Sequence, residues 1–521
     1  MKKIVLLVSI LIISMLVAAG CATQSAPKVN QDWPTANQSL ANTRAAANSG
    51  INLANVAKLG AAWYLPVKGV SEWGALTTNP VVLGNIIYFQ DLKSNIYAAD
   101  LSTGQQLWMK EYNLDIAGPA GVAVANGKIF AVKGHFGIAA VDLSGNELWS
   151  VDLSNNQNIG IDIQPVVYQN MVFVSTVPGV TNENFYTGGA VGIIYALDQN
   201  TGKTLWSFNT VDTADIWGNP QVNSGGGAWY PPAIDAATGI MYWGIGNAGP
   251  WPGTKDFPNG SSRPGKNLYT SSIVALDTKD GKLLWYNQVA PHDLFDYDFQ
   301  ISPILATVNI NGVSQDVVIG AGKMGKVVAF DRKTGATIWN TPVGSHINDN
   351  LTELPAGNTQ VAPSPLGGVE TVMAYSDGMV YAPFVDLTVQ YTPTEFVKAS
   401  FDIGAAKGGL AAIDAVSGKI VWNKTLDSMN VGGATVVNDL VFTATFNGKI
   451  YAFNAKTGEQ VWEYQAPGGI NGWPAVSGDT LLVPVGVGPT PMILAFKIGG
   501  TATIPGGAPV TATGSGKGFQ Q

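Results

Sequence analysis

The chain has 521 residues, with 62 Gly, 29 Pro and 46% hydrophobic side chains, a composition suited to a large all-β array with many turns. Only 12% of residues are charged, the net charge is −8, and no Lys/Arg cluster follows Lys2-Lys3, so nucleic acid is excluded as a natural partner. The three histidines (His135, His292, His346) share no metal-ligand spacing, and neither G-x-S-x-G nor a Cys/His dyad occurs, which argues against a zinc site and against hydrolase chemistry.

Residues 1–20 carry Lys2-Lys3, then the apolar run Ile4–Ala19, then Ala18-Ala19-Gly20 ahead of Cys21. This is the anatomy of an export signal rather than of a spanning helix. With Cys21 the only cysteine of the chain, it resembles a bacterial lipoprotein signal. The expectation is an acylated Cys21 as lipid anchor, a tether and linker over 21–50, and an exported, membrane-anchored protein facing the periplasm or cell exterior. No later segment approaches a transmembrane span. The absence of C-x-x-C-H excludes a covalently attached c-type haem.

From residue 51 the chain repeats. Seven tryptophans close one phrase, Ala-x-Asp (Asn in the last copy), a Gly-bearing turn, then Trp: Trp108, Trp149, Trp206, Trp285, Trp339, Trp422 and Trp462. An eighth, Trp63, keeps only the tryptophan end. Such a period marks stacked structural units. In the last full copy, Ala434–Val437, Leu440–Thr445, Ile450–Phe453 and the segment around Trp462 read as four strands, with Asn438-Asp439 and Asn447-Gly448 as tight turns. The expected fold is all-β: an eight-bladed β-propeller of four-stranded antiparallel blades over 51–498, closed by pairing the Trp63 segment with C-terminal strands. Residues 499–521, rich in Gly, Thr and Pro, read as a flexible tail.

A minimal unit spans about forty residues, as from Trp108 to Trp149 or from Trp422 to Trp462. The intervals Trp149–Trp206, Trp206–Trp285 and Trp339–Trp422 are longer. The extra residues fall between second and third strands or between one blade and the next, and both connections emerge on one face. That face is where a repeat protein places a binding surface. On it lie Trp229 in G-G-G-A-W-Y-P-P, Asn247 in Y-W-G-I-G-N-A-G-P-W, Asp293, Asp296 and Asp298 in P-H-D-L-F-D-Y-D, and Lys323 in G-A-G-K-M-G-K. Individually these read as a core indole, a turn amide, solvated loop carboxylates and an exposed hairpin lysine. Together they offer a flat aromatic, hard oxygen donors for a cation such as Ca²⁺, a general base and a group that steadies an oxyanion.

The same stretches, with R-P-G-K-N-L-Y-T-S-S-I-V-A-L-D between them, resemble the pyrroloquinoline-quinone (PQQ)-dependent alcohol dehydrogenases; the repeat extends the likeness over Leu53 to Ile498. The resemblance implies that Trp229 is the floor on which the quinone lies and that Asn247 ligates the metal. Asp296 would ligate it and take the alcohol's proton, and Lys323 would hydrogen-bond the quinone oxygens. Asp298 would be the extra carboxylate of members using a rare-earth ion, so Ca²⁺ and a lanthanide both stay open. A ligating Glu is expected at about Thr187, for which Glu183 is the nearest substitute. The family's vicinal disulfide has no cysteines here. Its early Glu and Arg fall near Thr77 and Ala120, and a later Asn falls near Glu370. The implied partners are a small alcohol and an external electron acceptor. The alternative is a non-enzymatic propeller, resembling the lipoprotein that assists outer-membrane protein assembly.

Overall fold

A computed structural model describes residues 32–154, 159–178, 188–212, 215–310 and 312–505; Cys21, Glu183 and Thr187 lie outside them. The described chain is an all-β propeller whose unit is a four-stranded antiparallel meander. The Trp462 sheet pairs Ala434–Val437, Leu440–Ala444, Lys449–Asn454 and Gln460–Gln465 in that order. The Trp339 sheet does the same with Ile304–Ile310, Val313–Gly322, Lys326–Asp331 and Thr337–Pro342. The Trp63 sheet joins the two ends of the chain: Leu59–Pro66 pairs with Met492–Ile498, which continues to Thr480–Val485 and Ala475–Ser477.

The repeated phrase has a mechanical explanation. Its first Ala faces the Trp across the third and fourth strands, as in Ala98 opposite Trp108 and Ala329 opposite Trp339. The Asp turns the chain by accepting backbone N–H groups; Asp100 Oδ1 takes those of Ser102 and Thr103, both at 2.9 Å. The Gly adopts the left-handed region (Gly335, φ +71°), and the indole of the preceding sheet lies where its side chain would be, Trp285 in this case. Each indole N–H then donates to a carbonyl of the next sheet. Trp63 reaches Leu101, Trp108 reaches Leu143, Trp149 reaches Gln199 and Trp206 reaches Thr278. Trp285 reaches Arg332, Trp339 reaches Ala415, Trp422 reaches Ala455, and Trp462 reaches Leu59, back in the Trp63 sheet. A large apolar face and one directed hydrogen bond thus fix each sheet to its neighbour.

Two expected boundaries are corrected. The linker over 21–50 is packed chain from Trp33 onward. Trp33 and Arg44 are wholly buried, and the segment hydrogen-bonds to the innermost strands of successive sheets. Trp33 pairs with Val82, Leu40 O accepts from Ile234 N, Ala41 O from Leu305 N, Thr43 O from Tyr375 N and Arg44 O from Val436 N. This strap crosses the axis. The tail expected from 499 is likewise held over its first residues: Gly499 N donates to Lys58 O, and Ala502 N to Ala61 O.

The uneven intervals lie where the repeat indicated. Residues 245–271 and 387–406 are second-to-third connections, while 343–373 joins two sheets.

Candidate active site

The decorated end of the axis holds a pocket of about 200 Å³. Its polar base follows a rule of position. Thr77, Gly118, Trp229, Gln300, Glu370 and Asn471 each stand four residues ahead of an innermost strand, those beginning at Val81, Val122, Ala233, Ile304, Ala374 and Ala475, and all six line the pocket. The chain descends toward the axis at that point in these six units, so equivalent residues converge there. The upper walls are apolar: Trp73, Leu366, Phe396, Phe401, Met429 and Val431.

Of the expected residues, Trp229, Asp296, Asp298 and Lys323 all line this pocket. Lys323 is buried, not exposed as a hairpin lysine would be; its Nζ lies 2.8 Å from Asp296 Oδ2 and 2.8 Å from Asp298 Oδ2. Asp298 Oδ1 accepts the backbone N–H of Asn247 at 2.5 Å, which docks the G-I-G-N segment against the carboxylate loop. Gly246 is required there, because any side chain on it would meet Asp298 Oδ1, Gly227 O and Trp229 Nε1. Gly322, before Lys323, is equally confined by the backbone of Asp298. Asn247 is buried beside this group but does not itself line the pocket; its amide donates to Ala248 O at 3.3 Å.

Asp293 is not aimed at the pocket. It accepts the N–H groups of Phe295 and Tyr297 at 2.9 and 2.8 Å, and its carbonyl takes Arg263 Nη2 at 2.5 Å, so it shapes the loop that presents Asp296. Asp296 itself sits at φ +67°, a left-handed conformation uncommon for a residue with a side chain and found most often where a site demands it. Burial pushes its carboxyl well above the usual range, with the Lys323 ammonium pulling the other way. Burial also raises Asp293 to about 6 and Glu370 to about 8.

Sequence reasoning missed Tyr230, Gln300, Asn471 and Trp473. For Gln300 and Asn471 the usable signal is the shared offset from the innermost strand, visible only once those strands are placed. Tyr230 stacks on Trp473 (centroids 5.5 Å, 21°) and donates from its hydroxyl to Glu370 O at 2.7 Å.

A concave, largely apolar pocket with convergent charged groups on the elaborated face is where a ligand site is expected. A family model described as the β-propeller domain of glucose/ethanol/alcohol dehydrogenases, bearing the name PQQ, matches residues 33–128 and 120–373. The chain belongs to that family, as a divergent member of the PQQ-dependent alcohol dehydrogenases. A second family model, described as outer membrane protein assembly factor BamB, matches residues 401–489. Among curated relatives, the quinohemoprotein alcohol dehydrogenase ADH IIB of Pseudomonas putida is 26% identical over 95% of this chain and 82% of its own length. The lanthanide-dependent methanol dehydrogenase of Methylacidiphilum fumariolicum is 27% identical over 85% of this chain and 82% of its own length. Among solved structures, the quinohemoprotein alcohol dehydrogenase of Comamonas testosteroni superposes with a TM-score of 0.79 at 24% identity, covering 92% of this chain and 82% of that one.

The residues present fit the family's cofactor. PQQ is a flat ortho-quinone carrying three carboxylates. The pocket offers indole walls from Trp229 and Trp473 and a buried cation, Lys323. It also holds two carboxylates at one point, and Asp296 Oδ1 is left without a hydrogen-bond partner, the kind of atom a cation would engage. No group of three His, Cys, Asp or Glu able to hold a metal occurs among the described residues. The expected set therefore depends on Asp296, Asp298 and Asn247, with Glu183 outside the described chain.

Proposed function

We propose that the protein is a lipid-anchored quinoprotein oxidoreductase that oxidises an alcohol and passes the electrons to an external acceptor. The observation that carries the reading is the buried Lys323–Asp296–Asp298 group, opening on a pocket lined by Trp229. PQQ, when bound, supplies the quinone ring that accepts the hydride from the alcohol carbon. Trp229 gives the ring a face to lie on. Asp296 would take the hydroxyl proton as its ionised carboxylate, the form that the neighbouring Lys323 ammonium favours. Asp296, Asp298 and Asn247, with Glu183, would hold Ca²⁺ or a lanthanide, which would polarise the quinone carbonyl. Lys323, whose ammonium lies 2.8 Å from both aspartates, would hydrogen-bond the quinone oxygens.

The scaffold on this reading is a closed ring of eight blades. The circuit of indole hydrogen bonds from Trp63 round to Leu59 supports it, as does the pairing of Leu59–Pro66 with Met492–Ile498. The anchor is the lipid on Cys21. The described chain begins at Asp32, whose carboxylate accepts Gly84 N–H in a first-to-second turn, on the face away from the pocket. An anchored molecule would therefore turn its pocket away from the membrane, toward an external acceptor.

The test is addition of PQQ with Ca²⁺ or La³⁺ to purified protein. A quinone absorption band and dye reduction by short alcohols are expected, both lost in Asp296→Ala. Failure of both metals to support PQQ binding would refute the reading. It would favour the assembly-scaffold alternative, which the match of residues 401–489 supports.

A further inference from the structure

The pocket base presents an excess of acceptors. Glu370, Gln300 and Asn471 stand at equivalent positions of their units and line the pocket together. Glu370 Oε1, Gln300 Oε1 and Asn471 Oδ1 each lack a hydrogen-bond partner. Glu370 Oε2 receives only a long contact from Gln300 Nε2, at 3.4 Å. The charged groups acting on Glu370 are the Lys323 ammonium and the Asp298 carboxylate, and Lys323 is already committed to Asp296 and Asp298. Tyr230, the remaining titratable neighbour, spends its hydroxyl proton on the Glu370 carbonyl.

A ligand bearing carboxylates adds more acceptors to this set. Two oxygen acceptors can face one another only with a proton or a cation between them; Lys323 is committed to Asp296 and Asp298, and an ionised carboxylate buried against another is strongly unfavourable. Resting on the quinoprotein reading above, we infer that Glu370 enters the cofactor complex as a neutral carboxylic acid, donating its hydrogen bond to a carboxylate of PQQ, so that binding takes up a proton whenever Glu370 starts ionised. The acid is suited to this. Burial raises it to about 8, so the proton is present at neutral pH and leaves above that range.

The consequence is a pH-dependent affinity. The dissociation constant for PQQ should be flat below about pH 8 and rise by up to tenfold per pH unit above it, the limit for one linked proton. Glu370→Gln keeps the shape and offers an N–H donor that does not titrate. The experiment is equilibrium PQQ binding to the full chain at fixed CaCl₂, followed by quenching of tryptophan fluorescence from pH 6 to 10, in wild type and Glu370→Gln. Calorimetry of the wild type at pH 9, in two buffers of different ionisation enthalpy, counts protons directly. Weakening above pH 8 in wild type that is absent from Glu370→Gln, with close to one proton taken up at pH 9, is expected. A flat wild-type profile, no proton uptake, or the same slope in Glu370→Gln would overturn the inference while leaving the quinoprotein reading intact. PQQ binding at no pH, with Ca²⁺ or with La³⁺ in its place, would overturn both. Should Glu370→Gln not fold, Glu370→Asn carries the same comparison, and the wild-type proton count stands alone.

Discussion

Replacing Lys323 by Met removes the ammonium from the centre of the pocket while keeping most of the side chain's length. Its Nζ lies 2.8 Å from a carboxylate oxygen of each of Asp296 and Asp298, and both aspartates are 1% exposed. At an effective dielectric of about 20, each contact corresponds to about 6 kcal/mol of attraction, largely offset by the desolvation of three charges. What the variant suffers is two buried carboxylates without a countercharge, and breaking a buried pair in this way costs about 3–5 kcal/mol. Urea denaturation at pH 8 should show a loss of that size. The sign of its pH dependence follows from Asp296. An acid whose folded pKa lies above its unfolded value contributes stability that is present at low pH and lost as pH rises through the folded value. Without Lys323 the Asp296 carboxyl is raised further, so the deficit of Lys323→Met should shrink at pH 5 and be largest at pH 8. Ca²⁺ or La³⁺ should restore the variant more than it stabilises the wild type. An identical deficit at pH 5 and pH 8, insensitive to either ion, would mean the loss is one of packing and that the charge argument is wrong.

Two further substitutions test the scaffold by the same denaturation assay. Gly84 (φ +59°) and Gly335 (φ +71°) are both left-handed, but a methyl on Gly84 meets nothing within 4 Å, whereas one on Gly335 enters the indole of Trp285. Gly84→Ala should cost about 1–2 kcal/mol from the backbone alone, and Gly335→Ala about 1–3 kcal/mol more; equal losses would remove the indole-on-glycine contact as a stabilising element. Arg44→Met strips six hydrogen-bonding contacts, to Ala36 O, Asn37 Oδ1, Asn79 Oδ1, Ala434 O, Thr435 Oγ1 and Pro474 O, and should cost about 3–5 kcal/mol. Lys93→Met breaks only the exposed pair with Asp115 and should change stability by less than about 1 kcal/mol; a comparable loss there would undo the distinction.

The repeat was legible because its physics is local. A turn that needs a left-handed residue takes Gly, its N–H groups need an Asp, and the indole that docks there sits at a fixed distance along the chain. The site was legible only where close backbone approaches impose motifs of their own. Gly246 and Gly322 exist to let the Asp298 loop lie against Asn247 and Lys323, and those glycines carry the phrases G-I-G-N and G-A-G-K. Gln300 and Asn471 have no such mark. Their placement depends on where an innermost strand begins, and a three-residue strand such as Ala475–Ser477 has too little pattern to reveal that in advance. Glu370 was located only through resemblance, and its burial and unpartnered oxygen were beyond reach.

The strap carries no sequence signal for a related reason, and its position bears on the chemistry. Residues 33–46 give one backbone hydrogen bond here and one there to the innermost strands of several sheets, so no periodicity arises from any single partner. Its two informative residues are Trp33 and Arg44. The Arg44 guanidinium lies 5.4 Å from the Trp33 ring and 5.8 Å from that of Trp473, within cation–π range of both. Trp473 in turn lines the pocket and stacks on Tyr230, which holds the Glu370 backbone. A continuous set of packed groups therefore runs from the strap to the pocket base. The burial that raises Glu370 and Asp296 requires that water not reach them along the axis from the opposite face. A segment that crosses this axis, with a buried arginine fastened to neighbouring sheets, supplies that barrier. Loosening it should lower both acids toward their ordinary values, so Arg44→Met is expected to shift the pH above which PQQ binding weakens to a lower value. An unchanged pH profile in a folded Arg44→Met protein would show that the pocket's electrostatics are set without the strap.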